Sequence, residues 1–487
     1  MADIHPEIST AAEEDQDFVV NRSRKLRLLI PVIVAFAFLM EQLDSTIVTT
    51  AIPDMAQSLA VPPLQLNLAI TSYILSLAVF IPVSGWIADR FGARRVFAVA
   101  LLIFTIASAL CGLANSLPVL IATRVLQGFG GAMMTPVGRL ILLRSFPRKE
   151  LVTAMTYMFV PAIIGPTIGP LLGGVLTTYA NWRWIFYVNV PIGVLGILLA
   201  LRFVQETPVE ATPPFDIPGF LLCGAGLAML QFALENVAHP VIARPFVLLF
   251  AGAAVALLLV YRRYAARHDD PALDLSLFGI RTFRVSTIAG GVSRIGVNAV
   301  PFMLPLMFQI GFGLNPVQSG SLTFVVSLGA LAVRPISLRL LRGMGFRNLL
   351  AANGVLCAIV IAGFALTTAE TPHWLVLLHV AFFGVTRSIQ FMTTNTLTYA
   401  DAPASKLSRA TSLGGVIQQL TVSFGVSIAA VLLALIAGPE HLPSVSDFHH
   451  ASLLVALLTL GSAPGFLPLR QTNAAHVSRY RAAPAKG

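Results

Sequence analysis

The sequence predicts an all-α protein that crosses a membrane many times. Three observations predict this class: 56% of the 487 residues are hydrophobic, only 11% are charged, and long apolar runs recur along the chain. Soluble proteins carry about 25% charged residues. A chain of this composition cannot cover itself with polar surface, so it needs lipid as the solvent for most of its length. The composition therefore argues against an ordinary soluble enzyme.

Neither the net charge of +10 nor the three cysteines points to another class. Binding to nucleic acid needs Lys and Arg on one exposed face, whereas here they are scattered between apolar runs, as in the loops of a membrane protein. The cysteines lie singly in apolar segments, without the spacing of a metal site or a disulfide framework. The sequence has no P-loop of the G-x-x-x-x-G-K-S/T type and no nucleophile triad. We expect no enzyme activity, no cofactor, no metal and no use of ATP.

A spanning helix needs about 20 apolar residues, and the sequence offers fourteen such stretches. The first is too long for a signal-peptide core and is followed by no A-x-A-like site, so we expect it to be retained. In chain order, the approximate limits of these predicted spans are 28–50, 64–85, 95–114, 118–142, 150–178, 184–203, 216–236, 243–261, 283–310, 316–340, 347–367, 373–398, 409–437 and 450–468.

The positions of Lys and Arg predict the orientation, because these residues accumulate in cytoplasmic loops. With the N-terminus inside, 25 of the 32 basic residues fall in cytoplasmic segments and only Arg183 and Arg244 fall outside. The other five lie within spans. Both termini are therefore predicted to be cytoplasmic.

A weak internal repeat predicts the domain plan. The loop after the second span, 85–95, reads GWIADRFGARR, and a degraded copy, RLLRGMGFR, occupies 339–347 after the tenth span. Two copies eight spans apart indicate two six-helix bundles with two helices inserted between them, and parallel halves of this kind are common in transporters. The predicted limits are a tail at 1–26, a bundle at 27–205, an insertion at 206–278, a bundle at 279–470 and a tail at 471–487.

The 85–95 loop resembles the G-x-L-A-D-R-x-G-R-K/R motif of the major facilitator superfamily. Together with four further segments, it is similar to the fourteen-helix drug:proton antiporter branch, and most of all to multidrug-resistance-type exporters of Gram-negative bacteria. The resemblance covers about 28–470 and is strongest before residue 195. The four segments are LDSTIVTTAIP at 43–53, RVLQGFGGAMMTP at 124–136, GPTIGPLLGG at 165–174 and NWRWIFYVNVPIG at 181–193.

The resemblance implies a major facilitator fold and proton-coupled efflux of drugs or other small amphipathic molecules by alternating access. The expected partners are a small-molecule substrate, protons and lipid, with no nucleic acid, in a protein of the bacterial inner membrane. We expect a monomer, although the sequence leaves the oligomeric state open. The proton gradient would replace any cofactor as the driving force. Two alternatives stay open: the export of an organic anion such as a carboxylate or siderophore, and a membrane sensor that transports nothing.

Ionisable residues inside a span are candidates for function, because burying a charge in lipid is costly. Glu41 and Asp44 lie on one face of the first span, and Arg124 lies level with Asp44 in the fourth. A carboxyl group there could carry the proton, and the resemblance implies this coupling role for Asp44 and Arg124. The alternative is a fixed ion pair that only holds the helices together.

Arginines in the second bundle suggest where substrate binds. Arg294 and Arg387 have few acids near them in the sequence and could attract anionic or zwitterionic cargo, or could instead pair with the carboxylates of the first span. Neutral amides could add hydrogen bonds, although such residues more often join helices. The predicted substrate-cavity residues are Gln127, Arg294, Asn298, Arg387, Asn395 and Gln418.

Two segments are predicted to move during transport. The 85–95 loop would be a gate latch in which Asp89 binds basic residues or a helix N-terminus, although its arginines could simply anchor the cytoplasmic side. In the fifth span, glycines at every fourth position would offer a bare stripe to another helix, and prolines would permit bending; the resemblance marks this run as an antiporter motif. The residues concerned are Gly85, Asp89, Arg90, Gly92, Arg94, Arg95, Gly165, Pro166, Gly169, Pro170 and Gly173.

Overall fold

The computed structural model describes residues 29–146, 148–206, 214–238, 243–403, 406–438, 441–471, 473 and 474. The side chains of 148–163, 238, 334, 335, 338 and 408 lie outside this description, as do the predicted N-terminal tail and most of the C-terminal one. The described regular structure is helical throughout. The all-α prediction is thereby confirmed.

The described residues of the first half of the chain form eight α-helices, of which α2 and α7 are short. Short 3-10 turns at Val48–Thr50 and Pro63–Leu66 extend the ends of neighbouring helices. The helices are α1 Leu29–Ile47, α2 Ile52–Leu59, α3 Asn67–Phe91, α4 Ala93–Leu113, α5 Leu117–Ser145, α6 Arg148–Tyr179, α7 Trp184–Tyr187 and α8 Asn189–Phe203.

The second half contributes eight more α-helices within the residues that the structure describes. A 3-10 turn, Leu275–Gly279, precedes α11, a π-helical turn, Met307–Gly311, follows it, and 3-10 turns Phe364–Leu366 and Ala463–Phe466 follow α13 and α16. The helices are α9 Ile217–Ala238, α10 Arg244–Ala265, α11 Arg281–Leu306, α12 Pro316–Ala332, α13 Arg334–Gly363, α14 His373–Ala400, α15 Leu407–Ala437 and α16 Val445–Leu460.

Eleven helices in the described part are long and apolar enough to cross a membrane, which falls short of the fourteen predicted spans. The fifth predicted span coincides with α6, where many side chains are not described. The tenth predicted span is interrupted at Val333, between the shorter helix α12 and helix α13, which has Pro335 in its first turn. The fourteenth corresponds to α16, which has 16 residues. The helices therefore follow the apolar runs, while the count of fourteen is not established.

Each copy of the sequence repeat contains a glycine with a positive φ angle. Gly92 joins α3 to α4 with φ 89°, and Gly345 breaks α13 with φ 69°. Positive φ is favourable for glycine and costly for residues with a Cβ atom. The two copies thus share the same kind of sharp junction, and α13 is two helical segments joined at Gly345.

Helix packing joins the two halves of the chain. In the first half, α1 packs on α6, and α5 packs on α3 and α4; in the second, α11 packs on α15, and α12 on α14. The halves meet where α3 contacts α15 and where α6 contacts α12. Helix α9 packs on α10 and also contacts α3 and α15. We use "outer end" for the end of the molecule that carries α2, following the predicted orientation.

Candidate functional site

A buried ion pair joins α1 to α5. Nη1 of Arg124 lies 2.5 Å from Oδ2 of Asp44, and both side chains are fully buried. The guanidinium also donates through Nε to the backbone carbonyl of Ala69 at 2.9 Å, and it lies 4.4 Å from the ring centre of Tyr73 on α3. A buried pair is favourable only when further hydrogen bonds satisfy its remaining groups, and these contacts supply part of them.

Two amides complete the surroundings of Asp44. Gln127 donates to Oδ1 of Asp44 at 2.9 Å and accepts from Nη1 of Arg124 at 2.8 Å. Asn189 at the start of α8 donates to the same Oδ1 at 3.3 Å. Gln127, predicted to line the substrate cavity, therefore lies in the ion-pair cluster. The sequence analysis did not select Asn189, although an amide inside the apolar 181–193 motif is the signal that could have done so.

Glu41 lies one turn from Asp44 and is partly exposed. It accepts a hydrogen bond from the hydroxyl of Thr135 on α5, and its charge interacts with those of Arg139 and Asp44. Each predicted proton-coupling carboxylate of α1 thus bonds to α5. Asp44 is enclosed by protein, while Glu41 keeps access to the space beside it.

The second-half arginines lie apart from this cluster. Arg294 is 5% exposed, donates to Oδ1 of Asn395 at 2.6 Å and lies 5.1 Å from the ring centre of Phe391. Arg387 on α14 is partly exposed. Within the described residues, neither guanidinium has an acid at ion-pair distance. Among the described residues, the buried guanidinium of Arg294 is thus contacted by the neutral side chains of Asn395 and Phe391.

The remaining predicted cavity residues are not gathered into one contact set. Asn298 is buried on α11 with its Nδ2 unpartnered in the described structure, and Gln418 on α15 is partly exposed. A cavity of about 510 Å³ lies elsewhere, between α11 and the chain after α16, and its lining includes Arg281 and Arg284. None of the predicted substrate-cavity residues lines it.

The predicted 85–95 loop is largely helical: 85–91 form the end of α3, 93–95 begin α4, and Gly92 lies between them. This segment makes its contacts within its own half of the chain. Oδ1 of Asp89 lies 2.9 Å from Nη2 of Arg144 at the end of α5. Arg94 donates to the carbonyl of Leu201 on α8 at 2.6 Å, and Nε of Arg95 lies 3.2 Å from Oε1 of Glu206.

Three further residues of this segment form no ion pair within the described structure. Arg90 is exposed and lies 6.0 Å from the ring centre of Trp86, while Gly85 is exposed with open space around it. Gly92 forms the turn itself. These contacts thus hold the α3–α4 turn against neighbouring helix ends in the first half of the chain.

The glycine stripe of α6 faces α1. A Cβ atom added at Gly165 would lie 2.9 Å from Cβ of Gln42, and one at Gly169 would lie 2.2 Å from Oγ1 of Thr46. At Gly173 the distance to Oγ1 of Thr50 would be 2.4 Å. All three are too short for a side chain. The stripe therefore lets two helices of the same bundle approach closely.

The proline-bearing face of α6 contacts α12 in the other half of the chain. The carbonyl oxygen of Pro166 accepts a hydrogen bond from the hydroxyl of Ser327 at 3.0 Å. A Cβ atom added at Gly320 would lie 2.3 Å from the carbonyl oxygen of Pro170, so backbones approach closely there too. Helix α6 thus presents glycines to its own half of the chain and proline carbonyls to the other half.

The comparison with known families decides the identity of this fold. The profile described as Major Facilitator Superfamily matches residues 34–426. The chain belongs to the Major Facilitator Superfamily. The resemblance inferred from the motifs is therefore confirmed, and membership in this transporter family also supports the prediction that the protein is not an enzyme.

Relatives within the superfamily are similar over most of their length. The chain is 40% identical over 430 residues to a protein of Pectobacterium atrosepticum, covering 88% of this chain and 91% of that one. It is 38% identical over 448 residues to a protein of Escherichia coli O6:H1, covering 91% and 94%. Both relatives carry the name "Putative multidrug resistance protein MdtD".

Solved structures of major facilitator proteins share the fold at low sequence identity. A bacterial homologue of the human lysosomal transporter Spinster, inward-facing and unoccupied, has TM-score 0.60 and 16% identity, covering 95% of this chain and 100% of that one. A D-xylose–proton symporter has TM-score 0.64 and 13% identity, covering 91% and 98%. These likenesses establish the fold alone.

Proposed function

We propose that this major facilitator protein is a proton-driven antiporter that exports drugs or other small amphipathic molecules by alternating access. It would lie in the cytoplasmic membrane of a Gram-negative bacterium with both termini in the cytoplasm. The proton gradient would be its energy source, with no cofactor. The names of its relatives in Pectobacterium atrosepticum and Escherichia coli support multidrug export as the substrate class.

The observation that carries the proposal is the enclosed carboxyl group of Asp44. It is the shared acceptor for Arg124, Gln127 and Asn189, so α1, α5 and α8 meet at one titratable group. A proton arriving at Asp44 removes one half of the ion pair and leaves the Arg124 guanidinium buried without a counter-charge, which is unfavourable. The packing of three helices would therefore change with the proton.

Glu41 offers a route for that proton. It is three residues from Asp44, partly exposed, and bonded to α5 through Thr135. A proton entering from water would meet Glu41 before the enclosed Asp44. In this scheme Glu41 receives the proton, Asp44 couples it to helix packing, and Arg124 reforms the pair when the proton leaves.

Export of an organic anion is the second candidate function. It is favoured by Arg294 and Arg387, which have no acid partner at ion-pair distance in the described structure. A carboxylate substrate could supply the missing negative charge through charge-assisted hydrogen bonds. The two candidates share a mechanism and differ in cargo.

Reconstitution tests the shared mechanism. The purified protein would be inserted into proteoliposomes, a pH gradient imposed, and uptake measured for a panel of cationic dyes and organic acids. Gradient-dependent uptake of any compound that is abolished by a protonophore supports antiport. Gradient-independent flux of a transported compound would overturn proton coupling.

A further inference from the structure

A second enclosed carboxyl group lies far from Asp44 in the sequence, near the outer end of α9. Glu235 is 4% exposed. Its Oε2 accepts from Nδ2 of Asn67 on α3 at 2.6 Å, and its Oε1 accepts from Nε2 of Gln231 at 2.8 Å and from Oγ of Ser427 on α15 at 2.5 Å. One carboxyl group thus connects the inserted helix to both halves of the transporter. We call these four residues the Glu235 cluster.

Every group that faces Glu235 in the described structure is neutral. Asn67 and Thr71 face it from α3, Gln231 from its own helix, and Ser427 from α15. Helix α10 also packs on α9, where Phe250 lies against Phe232 of α9. Its charged residue at the outer end, Arg244, is exposed and forms no ion pair with a described residue. An ionised carboxyl group in such a place has lost its hydration without gaining a cation, which is costly.

The Glu235 cluster contains hydrogen-bond acceptors that have no donor in the described structure, and this suggests that Glu235 can bind a proton. Oδ1 of Asn67 and Oε1 of Gln231 are both buried, and neither has a hydrogen-bond partner among the described residues. A half-turn of the Asn67 amide would place Oδ1 opposite Oε2 of Glu235, where a protonated carboxyl group could donate to it. Ser427 is equally adaptable, because its oxygen lies 3.0 Å from the carbonyl of Ser423 and could donate there instead.

We propose that Glu235 binds a proton from the outer solution and that this proton closes the outer end by fastening α9 to α3 and α15. With the proton bound, the cluster carries no charge, and the carboxyl O–H can donate to Oδ1 of Asn67, one of the two acceptors that lack a partner in the described part of the chain. When the proton is lost, the charge needs water, so the halves separate at this end. The inserted helices then act as a latch sensitive to external acidity. The inference rests on the alternation of the two halves proposed above.

This proton differs in its route from one carried by Asp44. Glu235 is enclosed when the outer end is closed and lies close to that end, so its proton returns to the outer solution when the latch opens. Loss of Glu235 should therefore alter the pH dependence of opening and leave proton coupling through Asp44 in place. The two carboxyl groups are separable by experiment.

Distance measurements on the full-length protein in lipid nanodiscs test the proposal. Spin labels at Ser58→Cys and Ser446→Cys, both exposed at the outer end, report opening, and the native Cys111, Cys223 and Cys357 are buried. Double electron–electron resonance would be recorded from about pH 5 to about pH 9, a range that brackets perturbed carboxyl groups. We expect the ratio of closed to open molecules to fall with rising pH, by at most tenfold per unit for one proton.

Three variants decide the outcome. Glu235→Gln, which mimics the protonated form, should stay closed across the range, and Ser427→Ala should be more open at every pH. Glu370→Gln, an exposed acid on the outer side, should titrate like the parent. A parent protein with pH-independent distances, or a Glu235→Gln variant that titrates like the parent, would refute the latch. These distances are measured without any substrate, so a failure of the proposed export would be seen separately in the flux assay.

Discussion

The hydroxyl of Ser327 donates a hydrogen bond to the backbone carbonyl of Pro166, 3.0 Å away in the other half of the chain. This carbonyl is free because its usual helical partner would be the N–H of the residue four positions later, which is Pro170 and has none. The proline of α6 therefore creates an acceptor on the surface where the two halves meet. The antiporter-like sequence of α6 thus has a local consequence that can be tested.

Removing the Ser327 hydroxyl should favour separation of α6 from α12. Ser327→Ala loses one hydrogen bond worth about 0.5–1.5 kcal/mol, so the ratio of closed to open molecules should fall about two- to tenfold. The spin-label pair at the outer end measures this ratio. Ser321→Ala is the control, because that exposed hydroxyl bonds to the Gln318 carbonyl of its own helix. In a Pro170→Ala background, where the N–H is restored, Ser327→Ala should have a smaller effect; equal effects in both backgrounds would contradict this assignment.

Asp44→Asn should abolish transport driven by a pH gradient. The amide cannot carry the proton, and it leaves Arg124 buried without its counter-charge, so we also expect a loss of about 3–5 kcal/mol of stability. Flux in proteoliposomes and thermal unfolding measured by tryptophan fluorescence report the two effects.

The double variant Asp44→Asn with Arg124→Gln separates those effects. It removes both charges, so most of the stability should return while transport stays absent. Full gradient-driven flux in Asp44→Asn would remove this residue from the mechanism. Recovery of transport in the double variant would show that the pair only stabilises packing.

Asp89→Asn should slow transport without changing which compounds are transported. The Asp89–Arg144 pair holds the α3–α4 turn to the end of α5 and lies outside the apolar part of the spans, so it affects movement rather than binding. Arg144→Gln should slow transport by a similar factor, and the double variant should be no slower than either single one. Initial rates for several substrates measure this, and a changed substrate profile would argue against a latch.

Arg294→Ala and Arg387→Ala should discriminate the two candidate cargoes. If organic anions are exported, each variant loses a charge-assisted contact, and transport of acids should fall by about tenfold or more while that of cationic dyes is retained. Arg342→Ala, at an exposed position outside the predicted cavity, is the control. An equal loss for acids and dyes would mean that these arginines stabilise the fold and do not select the cargo.

The environment of Asp274 predicts how the loop before α11 responds to acid. Burial opposes ionisation there, but hydrogen bonds from Ser276 and the nearby charges of Lys406 and Arg409 outweigh it and lower the pKa of Asp274 below its ordinary value of 3.8. A lowered carboxyl pKa stabilises the fold above the ordinary value, and this contribution is lost as the pH falls through the lowered one. The protection of amides in 270–280, which is the intrinsic exchange rate at each pH divided by the observed rate, should therefore be constant near neutrality and fall only below about pH 3.8. Asp274→Asn should exchange faster at neutral pH and lose the acid response.

Composition and the spacing of apolar runs were enough to predict the helical membrane fold, and the level positions of Asp44 and Arg124 suggested that they could pair. The family was predicted from the resemblance of five sequence motifs. Apolar runs long enough to span lipid can form little except helices, and two opposite charges level in neighbouring spans have strong reason to meet. Helix ends were less predictable. The break between Ala332 and the start of α13 at Arg334 depends on local backbone geometry, which hydropathy does not encode.

Only the tertiary structure decided which neutral groups surround each charge. Asn189, Thr135 and Tyr73 reach the α1 carboxylates or Arg124 from separate helices, and the sequence does not specify helix rotation strongly enough to place them. Glu235 is the clearest case: in the sequence it is one acid at the end of an apolar run, and its contacts with Asn67 and Ser427 join segments 168 and 192 residues away. Hydrophobicity determines which residues enter the membrane, whereas the close packing of helices from distant parts of the chain determines which polar groups meet there.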